Sequence, residues 1–178
     1  PALPVETGGR IEDCTFVGQG SKAIYISSEA SASILRNYIE SGMNAQSSYY
    51  GMDIYRASGD FLVEGNTIVH GYGKSTSSGI YLRPMRGTEE ARPRIINNEI
   101  AFTDAAGNVV GINVAGSSSD NNAYVRIAHN TVSISGKATG SSAMFINQYM
   151  TGAEVVNNIL VNNAEGYALR VNKAEYMP

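Results

Sequence analysis

Aromatic, charged and amide residues recur along this chain at nearly regular intervals. Successive members of one set lie 28, 28, 32, 32 and 25 residues apart, and a second set follows two residues later. The first set is Tyr25, Asp53, Tyr81, Asn113, Phe145 and Arg170. The second set is Ser27, Tyr55, Arg83, Ala115, Asn147 and Asn172. Aromatic rings can stack on sugar rings, and charged or amide groups hydrogen-bond to hydroxyl groups. If the fold brings these positions together, they predict a carbohydrate-binding surface.

The ligand-binding candidates are eight aromatic, charged and amide members of the two sets, namely Tyr25, Asp53, Tyr55, Tyr81, Arg83, Asn113, Phe145 and Asn147. A second interpretation needs no ligand. Ladders of aromatic and polar side chains also stabilise the face of a sheet, by about 0.2–1 kcal/mol for each cross-strand pair.

A shorter pattern recurs with the same spacing and supplies the framework. It is clearest at residues 94–100, Arg-Ile-Ile-Asn-Asn-Glu-Ile. The position of its second asparagine recurs in six copies, and only the first copy lacks the amide: Cys14, Asn37, Asn66, Asn98, Asn130 and Asn158. The residues three before this position are Ile11, Ile34, Val63, Ile95, Ile127 and Val155. The residues two after it are Phe16, Ile39, Ile68, Ile100, Val132 and Leu160. Both flanking columns are wholly apolar.

An alternating apolar pair follows each copy by 10 to 15 residues. The pairs are Ile24/Ile26, Met52/Ile54, Ile80/Leu82, Ile112/Val114, Met144/Ile146 and Leu169/Val171. Alternation with period two predicts strands, and a repeat near thirty residues predicts a solenoid in which each coil packs on its neighbours. The sequence therefore predicts an all-β, parallel β-helix of about six coils, each with three short strands and an asparagine ladder at one corner.

The asparagine column is first a structural prediction. A short amide tolerates the left-handed conformation of a tight corner, and stacked amides can pair between coils. Cys14 occupies the same column in the first copy, so we expect an inert and mostly buried thiol.

These repeats resemble the right-handed parallel β-helix proteins of the pectate-lyase-like superfamily, over residues 10–173. Segments 129–132, 156–160 and 166–169 are also similar to repeats of large secreted bacterial surface proteins. The resemblance implies a right-handed coil, in agreement with the usual crossover of parallel strands. It also implies an extracellular or cell-surface location.

In the lyase branch of this superfamily, substrate lies on the sheet that carries our two sets. Such an enzyme abstracts a proton beside a carboxylate, so the resemblance implies an arginine or lysine base and Ca²⁺ held by acidic side chains. Arg83 and Asp53 are the central candidates, with Arg86 and Arg92 as further bases. However, Asp53 is the only acid in the two sets, and an ion pair with Arg83 is the alternative role for it. The loops that would wall a groove contain Tyr49, Tyr50, His70, Tyr72 and Lys74.

The composition limits the classes of partner that we expect for this chain. Net charge is −3, from 13 basic and 16 acidic residues, which predicts no nucleic-acid partner, and no apolar run is long enough for membrane insertion. Two distant histidines and one cysteine predict no metal cluster. We interpret residues 1–9 as a lead-in and 10–178 as the β-helix domain of a longer protein. Uncapped coils predict end-to-end self-association.

The sequence thus favours a secreted or cell-surface module that binds or spaces carbohydrate, without catalysis or a cofactor. A polysaccharide lyase acting on uronate polymers, with Ca²⁺, is one alternative. A structural stalk or adhesin repeat is the other.

Overall fold

A computed structural model describes residues 8–42, 48–71, 76–116, 122–147 and 150–172. The predicted lead-in and the last six residues fall mostly outside this part of the chain. Within it the fold is the predicted parallel β-solenoid, with six coils of three strands each. The described residues form no helix, and so none that could cross a membrane.

The strands follow one another coil by coil. Coils one to three contain β1 (Arg10–Glu12), β2 (Thr15–Gln19), β3 (Lys22–Ser27), β4 (Ser33–Leu35), β5 (Tyr38–Ser41), β6 (Tyr50–Tyr55), β7 (Leu62–Glu64), β8 (Thr67–His70) and β9 (Ser77–Arg83). Coils four to six contain β10 (Arg94–Ile96), β11 (Glu99–Ala105), β12 (Val109–Val114), β13 (Asn122–Ala123), β14 (Arg126–Ala128), β15 (Thr131–Gly136), β16 (Ser142–Ile146), β17 (Met150–Thr151), β18 (Glu154–Val156), β19 (Ile159–Asn162) and β20 (Tyr167–Val171).

Three six-stranded parallel sheets run the length of the solenoid. The first strand of each coil joins the first sheet, in the order β1, β4, β7, β10, β14, β18. The second and third strands form the second and third sheets in the same way, while β13 and β17 pair separately. The predicted apolar columns lie in register on adjacent strands, for example Ile95 beside Val63 and Ile127. They form one continuous core.

The corner between the first and second sheets is held by the predicted asparagine ladder. Each ladder asparagine is hydrogen-bonded through its side chain to a neighbouring coil. For example, the Asn98 Oδ1 accepts from the main-chain N and the Nδ2 of Asn66, at 3.0 and 2.9 Å. The Asn98 Nδ2 lies 2.9 Å from Oδ1 of Asn130 and 3.1 Å from the carbonyl of Val63. These amides are buried, so every coil depends on its neighbour for hydrogen bonds.

One part of the corner prediction was wrong. The left-handed conformation belongs to the residue before the ladder position, where φ is 52° at Asp13, 50° at Arg36, 67° at Gly65, 54° at Asn97, 58° at His129 and 52° at Asn157. The five ladder asparagines do not adopt it. The sharp turn at the preceding residue leaves the ladder amide free to point inward and bond along the solenoid.

The expected burial of Cys14 was also wrong, because its thiol is exposed. Its main-chain N still donates to Oδ1 of Asn37 at 3.0 Å, and its sulfur lies 3.2 Å from the carbonyl of Glu12. Cys14 belongs to the first coil, which packs against a described coil on one side only. It therefore keeps the main-chain part of the ladder without the enclosure that later coils have.

We predict that Asn98→Ala lowers the free energy of unfolding by about 3 kcal/mol, because it leaves the buried N–H of Asn66 without an acceptor. Urea denaturation measures the effect. The matched control is Asn163→Ala, since Asn163 is exposed and lies outside the ladder. Equal stability of the two variants would contradict a stabilising role for the ladder.

Candidate functional site

The outer face of the third sheet brings the first members of the two predicted sets together. Strand alternation sends Met52 and Ile54 into the core and leaves Asp53 between them on the outside. Asp53 lies in register with Tyr25 on one side and Tyr81 on the other. Tyr55 lies in register with Arg83. The sequence-predicted columns are therefore real neighbours on coils one to three.

Asp53 is the electrostatic centre of this face. Its side chain is only 2% exposed, and it accepts two hydrogen bonds from Arg83, from Nε to Oδ1 at 2.8 Å and from Nη2 to Oδ2 at 2.9 Å. The Nζ of Lys22 bonds to the same Oδ2. One carboxylate thus holds two cations, each about one-third exposed, in fixed positions.

Tyrosine rings and cations alternate around this carboxylate. Lys22 lies 4.6 Å from the ring centre of Tyr25 and 5.8 Å from that of Tyr50. The rings of Tyr50 and Tyr81 stack at 5.3 Å with 18° between their planes. We call the contact series Tyr25, Lys22, Tyr50, Tyr81, Arg83, Tyr55 and Arg56 the tyrosine-cation row. Because many ring faces already contact a neighbour, the row presents mainly ring edges and polar groups.

Sequence reasoning missed Lys22 and assigned Tyr50 to a loop wall. The reason is a break in the alternation near the start of the third strands. On β3 Ala23 packs against the core, and on β6 an added Cβ at Gly51 would lie 2.8 Å from Cγ2 of the core residue Ile68. Gly51 therefore faces the interior beside Met52, and Tyr50 lies on the outside, stacked on Tyr81. The missed signal was a column of small residues at the start of the third strands, Ala23, Gly51, Gly79, Gly111 and Ala143.

The remaining ligand-binding candidates lie further along the sheet and make separate contacts. Asn113 donates to Oγ of Ser78 at 3.4 Å, and Phe145 lies 4.8 Å beneath the guanidinium of Arg170. Asn147 accepts from Asn172 at 3.4 Å. The candidate base Arg86 lies beyond β9, with an exposed side chain, and pairs with Ser58 through an isolated main-chain bridge.

Two expected groove residues are instead part of the core. Tyr49 and His70 are 0% and 1% exposed, and their rings stack at 4.9 Å. The prediction that they wall a groove was wrong, because both side chains pack inward at the bend between the second and third sheets. Tyr72 and Lys74, the other wall candidates, lie outside the described residues.

Not every polar atom of this buried pair is hydrogen-bonded within the described part of the chain. The Ser41 hydroxyl bonds to Nδ1 of His70, and Phe102 packs edge-on against the imidazole ring at 5.2 Å. Among the residues that the structure describes, Nε2 of His70 and the hydroxyl of Tyr49 have no hydrogen-bond partner. Burial lowers the pKa of His70 to about 4 and raises the pKa of Tyr49 to about 12, so both side chains are neutral near pH 7.

Metal-assisted chemistry would need a cluster of side chains that can act as metal ligands. No group of three or more His, Cys, Asp or Glu side chains in the described segments is placed to hold a metal ion. Asp53, the acid that the lyase alternative would use for Ca²⁺, is already bound by Lys22 and Arg83. Two resident cations oppose a third at the same carboxylate, so the face does not fit a calcium site.

Comparisons with known proteins identify no relative. No family model matches the chain, and no curated protein or solved structure matches it either. The parallel β-solenoid is therefore established by the structure, while membership of the pectate-lyase-like superfamily and the right-handed sense of the coil remain predictions.

We predict that His70 makes stability depend on pH. The unfolded chain binds a proton at this histidine near pH 6.5, whereas the folded chain binds it only near pH 4. Between these values the unfolded state carries more protons, so the free energy of unfolding falls as the pH falls from 6.5 to 4. The full loss is about 3 kcal/mol, measured by urea denaturation at several pH values.

The comparison that isolates this effect uses His70→Phe, which keeps an aromatic ring in the core, and His129→Asn at an exposed corner. Carboxylates contribute to acid unfolding in every variant. We expect His70→Phe to have a flatter profile between pH 6.5 and 4, and His129→Asn to follow the parent protein. A parent-like profile in His70→Phe would exclude His70 as the source.

Proposed function

We propose that this chain is a secreted or cell-surface β-helix module that binds a glycan on the outer face of its third sheet, without catalysing a reaction. The observation that carries the proposal is the tyrosine-cation row held around Asp53. It combines an exposed aromatic ring, Tyr25 at 53% exposure, with two fixed cations.

Preorganisation supports binding. Lysine and arginine side chains lose considerable conformational freedom when a ligand immobilises them. Here Asp53 has already fixed Lys22 and Arg83, and the stacked rings of Tyr50 and Tyr81 fix one another. A sugar meeting this face would find donors and ring edges already in place, while the more open Tyr25 ring offers a stacking surface.

The same contacts argue against the lyase alternative. A proton-abstracting base must accept a proton from substrate, yet Arg83 donates two hydrogen bonds to Asp53. Asp53 in turn has no room for a metal ion that would neutralise an acidic sugar. Both residues therefore act as a positioning pair in our proposal.

A structural spacer is the second candidate, and one observation favours it. The tyrosine-cation row joins coils one, two and three across the surface, so it also stabilises the solenoid without any ligand. In that case substitutions in the row would lower the free energy of unfolding and would not change the binding of any glycan. End-to-end association of coils, which would extend such a spacer, remains a prediction.

We predict that the protein binds members of a glycan array and that Tyr25→Ala weakens this binding about tenfold, equivalent to ~1.4 kcal/mol. The change removes the most exposed ring of the row and leaves the Asp53 ion pairs intact. Tyr38→Ala is the matched control, because Tyr38 is also partly exposed, at 38%, but lies on the second sheet. Affinities are measured by calorimetry on the best array hit.

The competing functions give different results. Suppose that the protein binds no glycan on the array and that Tyr81→Ala lowers the midpoint of thermal unfolding. These two results together would support the spacer function and contradict glycan binding. Growth of ultraviolet absorbance from unsaturated product on uronate polymers with Ca²⁺, lost in Arg83→Ala, would establish a lyase. Equal loss of binding in Tyr25→Ala and Tyr38→Ala would place the glycan elsewhere.

A further inference from the structure

A second polar surface lies outside the first sheet, away from the tyrosine-cation row. It is a crevice of about 370 Å³, which suits a small ligand. The residues that line it are all charged: Asp60, Glu89, Glu90, Arg92, Arg94 and Arg126. Its walls come from β10, β14 and the turns beside them.

The floor of the crevice is basic. Arg94 and Arg126 are in register on the neighbouring strands β10 and β14, an arrangement of like charges that is unfavourable without a counter-charge. Arg92 lies beside them, and all three arginines are half-buried. Glu154 approaches Arg126 at 3.6 Å and Arg92 at 3.7 Å. This carboxylate is therefore shared by two of the three guanidinium groups.

Arg94 is the one of these three arginines that forms no ion pair with Glu154. In the described parts of the chain its guanidinium has no ion pair, and its Nε is buried without a hydrogen-bond acceptor. A buried guanidinium N–H without an acceptor is unfavourable. Because the Arg94 side chain lines the crevice without a carboxylate of its own in the described segments, an oxyanion in the crevice would neutralise its charge. The fork of nitrogen donors suits a carboxylate in particular.

The rim of the crevice is acidic. Asp60, Glu89 and Glu90 are exposed, and none of them forms an ion pair with another described residue. The rim is held in shape, because the N–H of Thr88 donates to the carbonyl of Ala91 at 2.9 Å. Nε of Arg92 also donates to the carbonyl of Glu89 at 3.2 Å, which ties rim to floor. A cation at this rim would meet carboxylates that are not yet neutralised.

We propose that this crevice binds a small zwitterion of the amino-acid type, with its carboxylate on Arg94 and Arg126 and its ammonium group at the acidic rim. A polyanion fits poorly, because the three arginines face four carboxylates including Glu154. A simple cation fits poorly as well, since it leaves the Arg94 guanidinium unpaired. A ligand with both charges neutralises floor and rim together. This site is independent of the glycan proposal, since it lies on another sheet.

The test is a titration of the ¹⁵N-labelled protein with glycine, γ-aminobutyrate and 6-aminohexanoate at low ionic strength, followed by two-dimensional NMR. Acetate and methylammonium each carry one of the two charges and serve as comparison probes. We expect at least one zwitterion to shift amide signals around residues 60, 89–94 and 126. It should bind about tenfold more tightly than either single-charge probe.

Four variants test where the zwitterion binds and what the site requires. Arg94→Gln and Glu89→Gln should each weaken binding of that zwitterion about tenfold. Arg10→Gln should not, since Arg10 is in the same outward column but at the other end of the first sheet. Thermal unfolding of each variant checks that the fold is intact, and Arg94→Lys tests whether a fork is needed in addition to charge.

Three results of these titrations would contradict the proposal. Acetate binding as tightly as the zwitterions would reduce the crevice to a plain anion site and overturn the proposal. Absence of shifts with all three zwitterions would exclude the site. Equal weakening by Arg10→Gln would show that the overall charge of the sheet, and not the crevice, attracts the probes.

Discussion

The structure depends on buried side-chain amides that are hydrogen-bonded from coil to coil. A buried amide without partners is costly, so each ladder asparagine fixes the height of the next coil and the register of all three sheets. The distance between ladder positions along the chain varies from 23 to 32 residues. Loops absorb this variation while the corner stays constant, and the loops are therefore where one coil can differ from the next.

Most of the fold was predictable because it rests on two local patterns, alternating apolar residues and the asparagine column, that repeat with little interruption. The details that failed lie where those patterns stop. Strand alternation gave no information on Tyr49, which lies just before β6. It did not predict that Lys22 and Tyr50 lie on the outer face, because the alternation is broken at Ala23 and Gly51. The corner prediction assigned the left-handed turn to the asparagine because its backbone and hydrogen-bonding roles were not separated between two adjacent residues.

The two polar surfaces differ in how closely their charged side chains are paired. On the third sheet, Asp53 is hydrogen-bonded to both of its cations at short range, so the three charged groups are held in fixed positions and leave one net positive charge. On the first sheet, half-buried arginines and exposed carboxylates are close but only loosely paired. Sequence patterns predicted the first surface, since its members repeat from coil to coil. The second depends on the turn that ends at Arg92 and shows no comparable repeat.

Tyr49 and Tyr50 are consecutive residues that serve opposite sides of the wall. One ring is packed against His70 in the interior, and the other is stacked on Tyr81 at the surface. The wall of the solenoid is therefore a single main chain thick at this point, and one peptide unit carries both a core contact and a surface contact. A substitution that displaces this main chain would disturb the packing of His70 and the outer face of the third sheet together.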